Sequence, residues 1–220
     1  MLESVRNIAV LVSGGGTNLQ ALIDAQQNGQ IQNGRIVCVI SSRADVFALE
    51  RAKQNGIPAF VIARKEFSSA QEYDRALLLK LREVKADLVV LAGFLSILGD
   101  AVLEAFENRI INVHPALIPS FCGPGFYGLR VHEAVIKSGV KVTGATVHFV
   151  SSIVDGGAII AQKAVAVKDD DTPQSLQLRV MEEAEWVLLP RAVANFCDGK
   201  LRVLDGRVFT NGLTAQCDGV

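Results

Sequence analysis

The 220-residue sequence lacks an excess of either charge: 22 lysines and arginines stand against 23 aspartates and glutamates, for a net charge of -1 at pH 7. Such balance leaves no basic stripe for nucleic acid or an anionic membrane, which sets both aside as partners. Cysteine is scarce and scattered. Cys38, Cys122, Cys197 and Cys217 form no C-x-x-C pair, which fits neither a zinc knuckle nor a disulfide framework, and reduced thiols are expected, mostly in the core. Long apolar runs are missing as well. The opening stretch MLESVRNIAVLVSGGG is apolar only from Ile8 to Val12 before Ser13 and Gly14 interrupt it, too short for a secretory leader or a membrane span. A soluble, cytoplasmic protein is expected. There is no internal repeat and no low-complexity segment. Half of the residues are hydrophobic, and a chain of this length buries a sizeable core, so one domain is expected, in two lobes of about 1–108 and about 109–220.

What is present is an alternation. The strand-like runs IAVLVS, IVCVIS, AFVIA, DLVVLAG and RIINV are each separated by a helix-length segment, the pattern of βαβ units and a parallel sheet. The helix after Ser69 is written with a capping box, Ser69 and Glu72, followed by Tyr73, Leu77, Leu81 and Val84 at helical spacing. After Gly139 the texture changes: VTGATVHFV and AIIAQKAVAV are joined by a short turn, which predicts an antiparallel pair. Thr172 as N-cap and Pro173 at the first helical position open a further helix, which Pro190 should kink or end. A hairpin closes the pattern at LRVLDGRVFT, turned on Asp205 and Gly206. The fold class expected is α/β: an open, mainly parallel Rossmann-like sheet flanked by helices, extended by an antiparallel strand pair and a C-terminal helix and hairpin.

Four motifs can carry chemistry. In SGGGTNLQ, glycines permit close backbone approach and the following helix presents free N–H groups to an anion, so Gly16, Thr17 and Asn18 form a candidate phosphate cradle. A tight turn is the plainer reading. The G-x-G-x-x-G spacing of a dinucleotide site is incomplete, with Leu19 in the third place, and the second strand ends in Ser41, Ser42 and Arg43 instead of an acidic residue. That leaves NADP as the lesser alternative. In IINVHPALIPSF, residues two apart share a strand face, so Asn112 and His114 project together while Ile111 and Val113 enter the core, and Pro115 stops the ladder. At the carboxyl end of a parallel strand this pair faces the ligand crevice, where a histidine moves protons and an asparagine amide stabilises an oxyanion. In VDGG, Asp155 sits in a turn from which a carboxylate near His114 would favour its protonated form and fix its orientation; Asp-Gly-Gly is also an ordinary turn sequence. His132 and His148 are expected at the surface or in a supporting role. In LAGFLSIL, Leu95, Ile97 and Leu98 follow Gly93 and suit either an apolar pocket or plain core.

In this order, the motifs resemble the phosphoribosylglycinamide formyltransferase family, the folate-dependent glycinamide ribonucleotide transformylases of purine biosynthesis. The resemblance runs from IAVLVSGGGTNLQALIDA through SSRADVFALERA, LAGFLSIL and INVHPALIPSF to GATVHFVSSIVDGGAII. It implies direct transfer of a formyl group from 10-formyltetrahydrofolate, as donor co-substrate, to the amine of glycinamide ribonucleotide, without a metal. By position, Asn112, His114 and Asp155 match the family's catalytic trio. Gly16, Thr17 and Asn18 match the phosphate cradle, with Glu185 matching the glutamate at the ribose-phosphate end. Leu95, Ser96, Ile97, Leu98, Asn112 and Val150 match the folate pocket, and the first lobe is the nucleotide side, the second the catalytic and folate side.

The chemistry expected follows from two difficulties. An amine attacking the formyl carbon makes a tetrahedral oxyanion, and N10 leaves poorly until protonated. Protonated His114 answers both, Asn112 holds the former carbonyl oxygen and Asp155 relays protons. The sequence departs from the family pattern in three places: CGPGFYGLRV, from Cys122, is longer and richer in glycine than the loop of some members; RVMEEAEWVLLP has one extra residue, with Trp186 where histidine is usual; and Ala70 stands where a basic residue often meets the folate tail, for which Arg64 or Lys65 can substitute. Formyltetrahydrofolate hydrolase, methionyl-tRNA formyltransferase and a non-catalytic sugar-phosphate sensor are the competing readings. The tRNA enzyme needs an extra C-terminal domain and a basic surface, and the hydrolase usually carries an N-terminal regulatory domain, whereas the first strand here is expected at about Asn7. Nothing in the residues fixes whether the chain acts as a monomer or a homodimer.

Overall fold

A computed structural model describes residues 5–210; Cys217 lies outside them. The strands are β1 (Arg6–Val12), β2 (Gly34–Ser41), β3 (Ala59–Val61), β4 (Leu88–Leu91), β5 (Ile110–His114), β6 (Val142–Phe149) and β7 (Ile159–Ala166), with the hairpin β8 (Leu201–Leu204) and β9 (Arg207–Thr210). Between them run helices α1 (Thr17–Gln27), α2 (Phe47–Gln54), α3 (Ala70–Glu83), α4 (Asp100–Ala105), α5 (Leu129–Ser138), α6 (Pro173–Val180) and α7 (Trp186–Cys197).

The seven-stranded sheet has the order β3-β2-β1-β4-β5-β6-β7. Pairing is parallel from β3 to β5 and antiparallel from β5 to β7, as the change of texture after Gly139 predicts. The order reverses between β1 and β4, so the loops after these strands open on one crevice at their carboxyl ends. Alternation across the pleat divides the core. Ile8, Val10, Leu88, Val90, Ile111 and Val113 pack on one face, and Ala9, Leu11, Val89, Leu91 and Ile110 on the other. Leu77 and Leu81 of α3 cover the second face, each contributing about 2 kcal/mol by burial.

Local signals account for several element ends. Thr172 accepts from the Ser175 N–H, and the Ser175 hydroxyl accepts from the Thr172 N–H, a complete capping box opened by Pro173. Asp205 (φ 48°) and Gly206 (φ 71°) make the turn between β8 and β9. Two expectations change. Ser69 accepts from the Glu72 N–H, but the Glu72 carboxylate reaches back to the N–H and hydroxyl of Ser68, so the box is not reciprocal at Ser69. Pro190 does not end the helix: it lies inside α7, and the irregularity falls upstream as a π-helical turn, Met181–Glu185. Pro190 is the fifth residue of α7, and the helical carbonyl its missing N–H would have met is that of Trp186, at the first position, so the helix forgoes a single bond where it restarts.

Candidate active site

The glycine loop leaves β1 and enters α1 with Gly16 as a left-handed N-cap at φ 72°. A Cβ there would sit 2.7 Å from Ala48 Cβ, so backbone conformation and packing against α2 both demand glycine. Gly14 and Gly15 differ: a Cβ on either meets nothing within 4 Å, and their backbone faces open space. No side chain caps α1, so the N–H groups of its first turn are turned toward that space. Asn18, buried on this turn, donates its Nδ2–H to Glu185 Oε2 at 2.6 Å. Burial pushes the Glu185 carboxyl up to about 7, against the opposing pull of the Asn18 amide. Trp186, next in sequence, turns outward to line a groove with Thr17, Gln20 and Arg51.

On β5, Ile111 and Val113 enter the core, while Asn112 and His114 share the other face with Ile110. In the antiparallel register Asn112 stands opposite His148 and His114 opposite Thr146. His148 is buried, and its Nδ1–H donates to the Phe149 carbonyl at 2.8 Å. Its Nε2 is therefore an acceptor for the Asn112 amide, 3.1 Å away, which fixes the orientation of that amide and leaves the second N–H of Asn112 for another partner. Burial holds His148 below the ordinary histidine range, with the Phe149 carbonyl and Asp155 opposing. Neutral His148 matches these bonds.

His114 is held from two sides. Its Nε2–H donates to the Phe121 carbonyl at 2.8 Å, and Nδ1 faces Asp155 Oδ2 at 3.6 Å. A carbonyl can only accept, so Nε2 carries hydrogen whether the ring is charged or neutral, and any proton exchanged belongs to Nδ1. Asp155 is tied to the same loop, because its Oδ2 accepts the Gly123 N–H at 2.9 Å, while Oδ1 lies 3.8 Å from His148 Nε2. The Asp-Gly-Gly turn serves packing as well: a Cβ on Gly157 would fall 1.8 Å from the Phe149 carbonyl oxygen. The glycine-rich loop thus holds both the imidazole and the carboxylate through its backbone. Cys122 within it donates its Sγ–H to the Pro119 carbonyl at 3.2 Å, and burial together with the neighbouring Asp155 pushes its thiol above the ordinary value.

Farther along the crevice, Leu95 and Ile97 are 56% and 79% exposed, whereas Leu98 is buried in the core behind them. Val150 is half-buried against the same core face, and Ile153 and Val154 expose apolar side chains beyond it. Leu98 therefore backs the apolar wall without offering it a surface. His132, expected at the surface or in support, is fully buried on α5 with neither ring nitrogen hydrogen-bonded. Thr146 is a further contributor without a sequence signal of its own. Its hydroxyl donates to the Ala116 carbonyl and accepts the Ile118 N–H, anchoring the segment after His114 to β6.

An open α/β sheet with a glycine-rich turn at its switch point, and with an amide, an imidazole and a carboxylate gathered around β5, has the arrangement of a small-molecule enzyme. The chain belongs to the formyl transferase family, whose sequence model matches residues 6–193. It is 40% identical over 208 residues to the phosphoribosylglycinamide formyltransferase of Haemophilus influenzae, covering 94% of this chain and 95% of that one. The enzyme of the same name from Escherichia coli is 37% identical, with 94% of each chain covered. Among solved structures, glycinamide ribonucleotide transformylase 1 from Symbiobacterium toebii superimposes with a TM-score of 0.89 at 40% identity, covering 96% of this chain and 95% of that one. A formyltetrahydrofolate deformylase from Pseudomonas syringae shares the fold, with a TM-score of 0.83 at 23% identity. Among the described residues no group of three or more His, Cys, Asp or Glu is placed to hold a metal ion, and no helix is long and apolar enough to cross a membrane.

Proposed function

We propose that Asn112, His114 and Asp155 perform the formyl transfer of this family in a crevice between the glycine cradle and the apolar wall at Leu95 and Ile97. The reaction moves the formyl group of 10-formyltetrahydrofolate to the amine of glycinamide ribonucleotide, a step of purine biosynthesis. The ribonucleotide phosphate sits on the first turn of α1, against Gly16, Thr17 and Asn18. Glu185 holds Asn18 in place from the ribose side.

The amine attacks the formyl carbon, and the carbonyl oxygen takes the charge of the tetrahedral intermediate. The free N–H of Asn112 and the Nδ1–H of His114 stabilise that oxyanion. Collapse breaks the carbon–N10 bond, with the proton for N10 supplied from His114 Nδ1. The proton shed by the attacking amine returns to His114 by way of Asp155, which closes the cycle. The observation that carries this reading is the bracketing of His114, with Nε2 committed to the Phe121 carbonyl and Nδ1 turned to Asp155.

The direct experiment mixes protein with 10-formyltetrahydrofolate and follows tetrahydrofolate release with and without glycinamide ribonucleotide. Release that requires the ribonucleotide is expected. Release that ignores it would mean hydrolysis, and an inert mixture that still binds the ribonucleotide would mean a binding module.

A further inference from the structure

The two halves of the crevice are joined by a pair of serine hydroxyls that the reaction does not use. Ser13, directly before the glycines, is 2% exposed, and its Oγ lies 2.6 Å from Oγ of Ser42 at the end of β2, itself 8% exposed. The same Ser13 oxygen accepts the backbone N–H of Leu95 at 2.9 Å. Ser42 is held in turn by its own N–H, which donates to the Val12 carbonyl at 3.0 Å.

The loop bearing Leu95 and Ile97 packs on the core through Leu98, farther along, and in part through Phe94, so the tie matters at Leu95 itself. The side chains of Leu95 and Ile97 project into solvent, so they do not fix the backbone that carries them. Its far end is fastened separately: the Gly99 N–H donates to Asp74 Oδ1 at 2.9 Å and the Val102 N–H to Oδ2 at 3.3 Å. Between Asp74 and Ser13 the loop spans like a strap, with Ser96 and Ile97 between its fastenings.

We propose that Ser13 is a positioning residue for the formyl donor: through the Leu95 N–H it sets the apolar wall at a fixed distance from the phosphate cradle, with Ser42 orienting its hydroxyl. This rests on the reading of the 93–99 loop as the donor's wall. The residue belongs by sequence to the ribonucleotide loop, yet its removal acts on the other substrate. Loss of the Ser13 hydroxyl frees the Leu95 N–H, and the wall no longer meets the donor in register with the amine.

The test is Ser13→Ala, with Ser42→Ala as a second variant that retains the Leu95 bond, using tetrahydrofolate and glycinamide ribonucleotide as separate probes. Ser13→Ala should weaken tetrahydrofolate binding roughly 10-fold, with ribonucleotide affinity held within about 2-fold. Ser42→Ala should weaken tetrahydrofolate by a smaller factor, and the double variant should match Ser13→Ala alone, since both act through one bond. Amide exchange at Leu95 should quicken in Ser13→Ala while that of Gly99 stays as in the wild type. Unchanged tetrahydrofolate affinity, or weakened binding of the ribonucleotide instead, overturns the role of Ser13. A wild type that binds the ribonucleotide but not tetrahydrofolate overturns the underlying reading of the wall, a different failure seen before any variant is made.

Discussion

Oε2 of Glu185 stands 2.6 Å from Nδ2 of Asn18, joining the end of a π-helical turn to the first turn of α1 across 167 positions of sequence. A π-turn takes one residue more than the α-helical turn it replaces, which accommodates the extra residue of RVMEEAEW and rotates Glu185 inward while Trp186 faces the groove. Burial of this carboxyl, against the opposing pull of Asn18, sets a pH dependence. The buried carboxyl has its pKa raised from 4.5 to about 7, so the stability it lends is full below pH 4.5 and is lost as pH rises through 7. Glu185→Gln keeps the shape and removes the titration. Its stability relative to wild type should rise by up to about 3 kcal/mol between pH 4.5 and 8, read from urea unfolding at each pH.

His132 tilts stability the other way. Burial first, and His114 second, push its pKa down from 6.5 to about 4, so the folded protein holds it neutral where the unfolded chain would protonate it. The contribution is full above pH 6.5 and disappears as pH falls through 4, a loss of about 3 kcal/mol at most. His132→Leu should flatten the acid side of the stability profile. A profile as steep as that of the wild type between pH 6.5 and 4 would place the acid sensitivity elsewhere.

Asn112→Ala and Asp155→Ala should each fold with a melting temperature near that of the wild type yet lower kcat by about 100-fold or more. His148→Phe offers Asn112 no acceptor, so kcat should fall while the KM for the ribonucleotide stays put. Full turnover in Asn112→Ala or Asp155→Ala would remove that residue from the chemistry.

The glycines separate into two kinds. Gly15→Ala meets no atom and should keep its stability, but the added methyl enters the phosphate approach and should raise the KM for the ribonucleotide roughly 10-fold. Gly16→Ala is strained at φ 72° and collides with Ala48, so it should lose about 1–3 kcal/mol of stability. Gly157→Ala drives a methyl into the Phe149 carbonyl and should cost more still, carrying Asp155 out of place. Thermal unfolding beside steady-state kinetics distinguishes the two kinds.

Much of this molecule is written locally. The period-two runs, the helical spacing of Tyr73, Leu77 and Leu81, and the signals at Thr172, Pro173, Asp205 and Gly206 each act over a few residues, and they suffice for the parallel sheet, the antiparallel pair and the hairpin. Strand alternation likewise places Asn112 and His114 on one face. Pro190 misleads because its cost depends on where the helix restarts, and that is set by the π-turn upstream.

Only the register between β5 and β6 makes His148 the partner of Asn112 and sets Thr146 beside His114. Ser13 reads as one more residue of a polar loop until the ends of β1 and β2 and the turn after β4 are brought together around it. The bonds of Phe121 and Gly123 to His114 and Asp155 use backbone atoms, which no residue type announces. The sequence alone determined the elements, their order and the groups able to move a proton, because periodicity, capping and turn chemistry are short-range. Only the tertiary structure decided which nitrogen of His114 is free, what holds Asn112 and how the two halves of the crevice are joined, because hydrogen-bond geometry between distant segments exists only once the sheet has fixed their separation.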